Sequence, residues 1–229
     1  MNQFDLNVID GHLTFVVDGL RVLVDTGSPF TISRNTKFCF LGREYESYTE
    51  MGGCGMDSLS ENAGFDFDVL MGMGILGNYR IVIDASRESI IFSEEAFSED
   101  NAVSLPITQG MKGVAFDLLV NGQSLKGVLD TGAKISYIIA EEIVKNEQPK
   151  EFRDDFSPFV GHFETPIYPM RANVAEMEFS VDFGVLPGIL SLPLRMVNIG
   201  CVLGYDLFKQ YVVGLDFVSN KMTLKNFAS

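Results

Sequence analysis

The chain has 229 residues, 46% of them hydrophobic, and a formal net charge of -14 at neutral pH. This length suits one large domain or two lobes of about 100 residues each. A strongly acidic chain without a basic cluster is a poor partner for phosphate backbones, which excludes nucleic-acid binding from the working interpretations.

Residue usage also indicates the cellular compartment in which the protein works. No apolar run approaches the roughly 18 residues that span a bilayer, and the first residues lack the basic start and apolar core of a signal peptide. The three cysteines, Cys39, Cys54 and Cys201, are odd in number and widely spaced, which argues against a disulfide framework and for a reducing compartment. We therefore expect a cytoplasmic protein without membrane contact.

Histidine is too scarce to suggest a metal site. His12 and His162 are the only two in the chain, and each is expected to be a surface or pocket residue rather than a ligand. No metal and no cofactor are expected.

The chain begins with three predicted strands that lead to a first acidic motif. The dipeptides Asp10-Gly11 and Asp18-Gly19 stand between apolar runs in residues 8–24, and Asp-Gly in that position is a strong hairpin signal. The third strand ends in Asp25-Thr26-Gly27-Ser28. The motif therefore lies on a turn directly after a buried strand.

A glycine-rich segment follows within residues 41–56. It reads Gly52-Gly53-Cys54-Gly55, and glycine adopts positive φ at no steric cost. One interpretation is an ordinary loop, and the other is a mobile hairpin that closes over a site.

Residues 66–77 carry a glycine spacing that resembles a nucleotide-binding fingerprint. Gly72, Gly74 and Gly77 match the pattern, but that fingerprint also needs a full helix after the glycines. A strand resumes at residues 79–84, so there is no room for such a helix, and nucleotide binding is rejected. A further strand is predicted at residues 89–92.

An acidic stretch poor in strand formers covers residues 93–101 and predicts a linker at residues 96–101. The first lobe is accordingly placed at residues 1–95 and the second at 102–229. After the linker, two strands are predicted at residues 102–107 and 114–120.

The second half repeats the plan of the first. The turn Asn121-Gly122 leads into a strand that ends in Asp130-Thr131-Gly132-Ala133. Residues 135–146 are expected to be helical. Residues 147–175 have no clear assignment, and residues 179–194 are expected to be strand and loop around Pro187-Gly188.

Three blocks near the carboxyl end mirror blocks of the first half in the same order. Residues 200–208 resemble 68–76, residues 211–216 resemble 79–84, and residues 221–224 resemble 89–92. This order predicts an internal duplication.

Two aspartates on matching turns indicate a specific chemistry. If Asp25 and Asp130 lie within hydrogen-bond reach, they cannot both ionise cheaply and share one proton. The ionised member can take a proton from water, while the protonated member donates to a carbonyl oxygen. Around them Gly27 and Gly132 would allow close approach and donate backbone N–H groups.

On these motifs the sequence resembles the pepsin–retropepsin class of aspartic peptidases. The segments ending in Gly72 and Gly204 are similar to the psi-loop segments of that class, and Gly52-Gly53-Cys54-Gly55 is similar to the glycine-rich flap of the retroviral enzymes. The resemblance covers most of the chain except residues 147–195.

The resemblance implies an all-β, bilobal fold with pseudo-two-fold symmetry and a central cleft. It implies that Asp25 and Asp130 form the catalytic dyad of an endopeptidase acting on a peptide or protein. Because retroviral enzymes are homodimers of one such unit and this chain contains two, the active unit is expected to be the monomer. The residues expected to support the dyad are Thr26, Gly27, Ser28, Thr131, Gly132 and Ala133, with the two threonine hydroxyls bonding across the junction of the lobes.

The chain departs from the class in two respects. Each half is much shorter than a pepsin lobe, so pepsin subsites cannot be transferred. The second half has no glycine-rich flap, so either one flap serves both sides or residues 157–170 substitute.

One asymmetry between the motifs predicts different roles for the aspartates. Ser28 follows the first glycine, whereas Ala133 follows the second. By the resemblance, the Ser28 hydroxyl is expected to donate to the outer oxygen of Asp25. Asp25 would then ionise more readily and Asp130 would hold the proton.

Two competing interpretations remain beside the endopeptidase. The chain could be a non-catalytic peptide-binding or adaptor module that kept the fold, or a hydrolase that cleaves only one specific partner. Both acidic triplets are intact, which favours catalysis. The supply of Phe, Met and Leu near the motifs predicts a cleft that prefers apolar side chains beside the scissile bond.

Overall fold

The computed structural model describes residues 1–96, 101–110 and 113–227. The linker predicted at 96–101 falls mainly on residues 97–100, which lie outside the described residues. The strands of the first half are β1 (Asn2–Asp5), β2 (Asn7–Ile9), β3 (His12–Val17), β4 (Leu20–Val24), β5 (Ile32–Ser33), β6 (Lys37–Phe40), β7 (Arg43–Glu46), β8 (Glu50–Met51), β9 (Cys54–Gly55), β10 (Val69–Met71), β11 (Arg80–Asp84) and β12 (Ser89–Ser93).

The second half contains the longest strands, and helices are few and short throughout. The strands are β13 (Val103–Pro106), β14 (Thr108–Gly110), β15 (Gly113–Val120), β16 (Gln123–Leu129), β17 (Ser136–Ile138), β18 (Glu151–Ser157), β19 (Gly161–Val174), β20 (Met177–Val185), β21 (Cys201–Leu203), β22 (Tyr211–Asp216) and β23 (Lys221–Asn226). The α-helices are α1 (Met56–Ala63), α2 (Met73–Leu76) and α3 (Gly188–Arg195), and single 3₁₀ turns cover Ala85–Arg87, Glu141–Ile143 and Tyr205–Leu207.

Tight turns build the sheet of the first half. Both residues of Asp10-Gly11 and of Asp18-Gly19 have positive φ, between 46° and 82°, which suits the right-handed twist of the flanking strands. The strands β2, β3 and β4 therefore form a meander, and β10 and β5 complete a five-stranded sheet in the order β2-β3-β4-β10-β5. Asn121-Gly122 makes the corresponding turn between β15 and β16, with φ values of 46° and 80°.

Each half contains the same three-strand arrangement around its acidic motif. In the first half β4 pairs in parallel with β10, which pairs antiparallel with β5. In the second half β16 pairs in parallel with β21, which pairs antiparallel with β17. The acidic motif follows the first strand of each set, so the two motifs have equivalent places in their sheets.

A six-stranded sheet joins the halves. Its order is β1-β12-β11-β22-β23-β13, so three strands come from each half. The antiparallel pair β11–β22 forms the seam, and the largely buried ion pair of Arg80 with Asp216, 2.9 Å long, crosses it. Fully buried Ile81 and Ile83 belong to the same hydrophobic core as Val213 of the other half.

The structure corrects the helix predicted at residues 135–146. Residues 136–138 form β17, which lies between β21 and β20 in the eight-stranded sheet of the second half. Only the single 3₁₀ turn Glu141–Ile143 is helical. The pairing of β17 with strands far away in the sequence overrides the local charge pattern that suggested a helix.

Residues 147–195 contain a long hairpin and a helix. The strands β18 and β19 pair antiparallel from Glu151↔Ile167 to Ser157↔Gly161, and β19 continues into a pairing with β20. The structure corrects the strand and loop expected at residues 179–194, because only the part up to Val185 is strand and the helix α3 follows, with Pro193 in its interior. Among the described residues, no helix has the length and apolar character needed to cross a bilayer.

Candidate active site

The two acidic motifs are held by the same backbone contact. The Asp25 N–H donates to the Met71 carbonyl at 3.0 Å, and the Asp130 N–H donates to the Leu203 carbonyl at 2.9 Å. Each acceptor is the last residue of the parallel neighbour strand, β10 or β21. Each aspartate is therefore fixed where its parallel strand pair ends.

The two aspartates face one another across the junction of the halves. A Cβ added to Gly132 would lie 2.6 Å from Asp25 Cγ, and one added to Gly27 would lie 2.3 Å from Asp130 Oδ2. Any side chain at either glycine would displace the opposite carboxyl group. The two carboxyl groups lie close enough for each to change the pKa of the other.

Backbone amides hold the carboxyl groups in place. The Gly27 and Ser28 N–H groups both donate to Asp25 Oδ1 at 2.9 Å, and the Gly132 N–H donates to Asp130 Oδ1 at 2.9 Å. These contacts stabilise ionised carboxylates. They lower the pKa of each aspartate, but burial raises it by more.

Burial raises the pKa of both aspartates. For Asp25 the loss of solvent has the largest effect and the nearby charge of Asp130 adds to it, so its pKa lies well above the ordinary value. For Asp130 burial raises the pKa against the opposing hydrogen bond of Gly132. Because two buried carboxyls in contact titrate as one unit, the proton belongs to the pair.

The threonines of the two motifs cross-link the turns. The Thr26 hydroxyl donates to the Leu129 carbonyl at 2.9 Å and accepts from the Thr131 N–H at 3.1 Å. The Thr131 hydroxyl donates to the Val24 carbonyl at 2.8 Å and accepts from the Thr26 N–H at 2.9 Å. Both threonines are fully buried, so this reciprocal set fixes one turn against the other.

The structure contradicts the expected role of the Ser28 hydroxyl. Its Oγ donates to the Phe30 carbonyl at 2.7 Å and lies 3.9 Å from Met51 Sδ. Only the backbone N–H of Ser28 reaches Asp25. The serine therefore braces its own loop, and the difference from Ala133 gives no basis for assigning the proton to Asp130.

Gly72 and Gly204 lie beside the motifs in equivalent places. A Cβ on Gly72 would lie 2.1 Å from the Phe30 carbonyl oxygen, and one on Gly204 would lie 2.3 Å from that of Ala133. After each glycine the chain returns to its motif, since Met73 donates to the Ser28 carbonyl at 2.8 Å and Tyr205 to that of Ala133 at 3.1 Å.

The aspartates line a cleft of about 790 Å³. The first half contributes mostly small or polar groups, whereas the second half contributes most of the apolar lining. The apolar residues of the second half are Val128, Ala133, Phe156, Pro158, Phe159, Phe163, Leu186, Ile189, Leu190, Pro193, Leu194 and Val202.

The segment Gly52-Gly53-Cys54-Gly55 forms a very short hairpin at the cleft. The strands β8 and β9 have two residues each, and Gly52 and Gly53 make the turn with φ of 60° and 84°. Met51, in the same hairpin, lines the cleft. This short hairpin therefore contributes one side chain, that of Met51, to the lining of the cleft.

The tip of the hairpin β18–β19 also lines the cleft, through Ser157, Pro158 and Phe159. A Cβ on Gly52 would lie 2.8 Å from the Pro158 carbonyl oxygen and 3.3 Å from the Phe159 ring, and the Cys54 thiol lies 3.9 Å from the same carbonyl. The tips of the two hairpins thus meet. Residues 157–161 form the second tip. Because they contain no glycine-rich motif, the sequence did not show whether this segment acts as a second flap.

Sequence analysis expected His12 to be a surface or pocket residue, but it did not identify Tyr137 or Asp155 as polar residues of the cleft. His12, Tyr137 and Asp155 line it together with the aspartates. Tyr137 falls in the segment expected to be helical and Asp155 in the unassigned segment, so neither carried a usable signal. Among the described residues, no group of three or more His, Cys, Asp or Glu side chains could hold a metal ion.

Comparisons with known proteins support the fold. No protein-family model matches the sequence, and no curated protein matches it either. Among solved structures, the aspartic proteinase from Irpex lacteus matches 98% of this chain and 97% of its own at a TM-score of 0.55 and 10% identity. The protease of simian foamy virus (mac) covers 41% of this chain and 90% of its own at a TM-score of 0.31 and 17% identity.

The likeness to the fungal enzyme extends over almost the whole chain. It confirms the predicted fold class, an all-β, bilobal fold of the acid-protease type with a cleft between pseudo-symmetric halves. At 10% identity the likeness concerns the fold alone.

Proposed function

We propose that the chain is an aspartic-type endopeptidase with Asp25 and Asp130 as its catalytic dyad. The observation that carries the proposal is the pair of buried carboxyl groups, one from each half, that meet at the wall of a peptide-sized cleft. Their raised pKa values favour retention of one shared proton, and general acid–base hydrolysis requires that proton.

The proposed reaction proceeds without a covalent intermediate. The ionised carboxyl takes a proton from a water molecule, whose oxygen attacks the carbonyl carbon of the scissile amide. The protonated carboxyl donates its proton to the carbonyl oxygen, which gives a gem-diol. The protonated carboxyl then donates its proton to the amide nitrogen, while the ionised carboxyl takes a proton from one hydroxyl of the gem-diol. The C–N bond breaks to give an amine and a carboxylic acid, and the pair again holds one proton.

The surrounding residues support the proposal by restricting movement. The reciprocal contacts of Thr26 and Thr131 hold the two turns in register, and backbone N–H groups from Gly27 and Gly132 fix the carboxyl oxygens. A pair aligned in advance loses little free energy to reorganisation in the transition state. The meeting tips of the two hairpins would shield the reacting groups from solvent.

A single chain is the proposed active unit. Both aspartates belong to one chain, and β11 and β22 join the halves into one sheet. We propose lobes at residues 1–95 and 102–229 that arose by duplication, and a reducing setting such as the cytoplasm, since Cys39, Cys54 and Cys201 are free thiols. The proposed substrate is a peptide or protein with apolar side chains beside the scissile bond, to match the apolar lining of the cleft.

The decisive experiment removes each carboxyl in turn. Asp25→Asn and Asp130→Asn should abolish cleavage of a denatured protein while the protein stays folded, because Asn is close to Asp in shape. The matched control is Asp18→Asn at an exposed turn with positive φ, a conformation that Asn adopts well. Turnover is followed by mass spectrometry of the products, and folding by circular dichroism.

Two results would contradict the proposal. Cleavage retained in either single variant would remove that aspartate from the mechanism. Binding of peptides by the wild-type protein without any cleavage would instead support the non-catalytic binding module.

A further inference from the structure

The cleft contains polar groups that the proposed reaction does not use. His12 lies at the start of β3, Tyr137 on β17 and Asp155 on β18, and all three line the cleft beside the aspartate pair. The two groups with unfilled hydrogen-bonding capacity are Asp155 and His12. Asp155 has acceptor capacity left for a ligand.

Asp155 is a cleft carboxylate without a cationic partner. The Phe156 N–H donates to its Oδ1 at 2.8 Å, and the Tyr137 hydroxyl donates to its Oδ2. No lysine, arginine or histidine within the described part of the chain forms an ion pair with it. A carboxylate has about four lone-pair positions, so Asp155 can accept further hydrogen bonds from a ligand.

The contacts of Tyr137 keep that carboxylate in place. Tyr137 is buried, and its ring packs against that of Phe163 on β19 at a centroid distance of 6.3 Å. The tyrosine and the backbone N–H of Phe156 thus hold Asp155 from two sides. Such a side chain loses little conformational entropy when it binds a ligand.

His12 lies at the same end of the cleft, close enough for the charge of Asp155 to act on its pKa. The turn before His12 packs against Lys134, the residue that follows the second motif. Asp10 forms an ion pair with Lys134 at 3.2 Å, and a Cβ on Gly11 would lie 3.1 Å from Lys134 Cβ. The imidazole lies near Gly132 of that motif. Its Nδ1 is buried and has no partner among the residues that the structure describes.

The imidazole of His12 is neutral at physiological pH. Burial lowers its pKa and the charge of Lys134 adds to this effect, while Asp155 and Asp10 oppose it. A neutral imidazole has one donor and one acceptor nitrogen. A neutral imidazole also adds no positive charge that would repel a cation at Asp155.

The charges at this end of the cleft favour a cation. The aspartate pair with one proton, Asp155 and Asp10 bring three negative charges, and the positive charge that faces them is that of Lys134, already paired with Asp10. A buried or half-buried negative charge without a partner is costly, and a ligand cation offsets that cost.

We propose that Asp155 and His12 form a subsite for a basic side chain, lysine or arginine, of the polypeptide in the cleft. The basic group donates hydrogen bonds to the Asp155 carboxylate, beside the neutral imidazole of His12. The proposal rests on the proposed function in that it takes the cleft to bind an extended peptide. It adds a charged determinant to a lining that is otherwise mostly apolar.

The test measures peptide binding rather than cleavage. Fluorescent decapeptide pools carry either lysine or norleucine at one fixed position and an equal mixture of residues elsewhere. Binding to the Asp25→Asn protein is followed by fluorescence anisotropy. At one fixed position the lysine pool should bind about tenfold more tightly than the norleucine pool, as expected for a hydrogen-bonded charge.

The variants locate the effect. Asp155→Asn should reduce the lysine-to-norleucine ratio to near one, and His12→Leu should reduce it by a smaller factor. The matched control is Asp154→Asn, which removes the same charge from the exposed neighbour on β18 and should leave the ratio unchanged.

Each outcome is decisive. Equal binding of the lysine and norleucine pools at every position, or a lysine preference that survives Asp155→Asn, overturns the subsite. A folded His12→Leu protein with an unaltered ratio removes His12 from it. A lysine preference that depends on Asp155 in a protein that cleaves no peptide keeps the subsite and contradicts only the peptidase.

Discussion

At the scale of single residues, the Ser28 hydroxyl shows that a side chain can adjoin a carboxyl without bonding to it. Because Ser28 Oγ donates to the Phe30 carbonyl, we expect Ser28→Ala to leave both limbs of the pH–rate profile where they are in the wild type. The variant should lose about 1 kcal/mol of stability, since a carbonyl loses its donor. Rates across the pH range and urea unfolding test the two statements, and an acidic limb that moves would restore the hydroxyl to the aspartate pair.

The threonine pair predicts a larger loss from an equally small change. Thr26→Val removes the donor of the Leu129 carbonyl and the acceptor of the Thr131 N–H, so we expect a loss of about 3 kcal/mol. Thr14→Val is the matched control, because buried Thr14 makes one side-chain hydrogen bond, to the Asn7 carbonyl at 3.0 Å. We expect about 1 kcal/mol there.

Urea unfolding of the two threonine variants measures both losses. Equal losses for Thr26→Val and Thr14→Val would mean that the cross-link between the turns adds nothing beyond an ordinary buried hydrogen bond.

At the scale of elements, the glycines after β10 and β21 decide whether the motif loops can pack. Gly72→Ala would place a Cβ 2.1 Å from a backbone oxygen, so we expect a loss of about 3 kcal/mol or more through forced backbone movement. Gly74→Ala, two residues away, meets its nearest atom at 3.6 Å and lies in α2, where alanine is favoured over glycine.

Thermal unfolding of the two alanine variants compares these positions directly. We expect Gly74→Ala to unfold at or above the wild-type midpoint and Gly72→Ala well below it. A Gly72→Ala protein as stable as the wild type would show that the loop from Ser28 to Phe30 relaxes freely.

The strands around the two motifs could be predicted because their signals are local. Asp18-Gly19 and Asn121-Gly122 each mark a hairpin, and the apolar run after each turn leads to an aspartate. The places of Asp25 and Asp130 in the fold followed from those turns together with the resemblance.

The remaining elements depend on partners far away in the sequence. The strand β17 exists because β20 and β21 flank it, whereas its own sequence neighbourhood favours a helix. Pro193 inside α3 hides that helix from a local pattern. Hairpin β18–β19 lacks the glycines that mark a flap, so neither its contact with Gly52 nor the cleft position of Asp155 was visible.

At the scale of the whole molecule, the shared sheet links the geometry of the site to overall folding. The strands β11 and β22 form the seam of that sheet, and the aspartate pair lies at the same junction of the halves. Conditions that change the charge of the pair should therefore change global stability. The raised pKa values of Asp25 and Asp130 set the direction of that change.

The sign follows from proton binding in the two states. Between the unfolded pKa of an aspartate, about 4, and the raised folded pKa, the native pair holds more protons than the unfolded chain. Stability from this source is complete below the unfolded pKa and is lost as the pH rises through the folded pKa. Asp216 behaves oppositely, because hydrogen bonds from Ser219 and Arg80 overcome its burial and lower its pKa.

Asp25→Asn removes the coupled ionisation, so its stability relative to the wild type should increase as the pH rises from about 4 towards neutrality. Asp216→Asn is the contrasting variant and should lose stability at neutral pH, with the loss shrinking in acid. Urea unfolding at a series of pH values gives both differences. An Asp25→Asn protein whose stability parallels that of the wild type at every pH would mean that the pair carries two full charges in the folded state, which the contact between the two carboxyl groups makes costly.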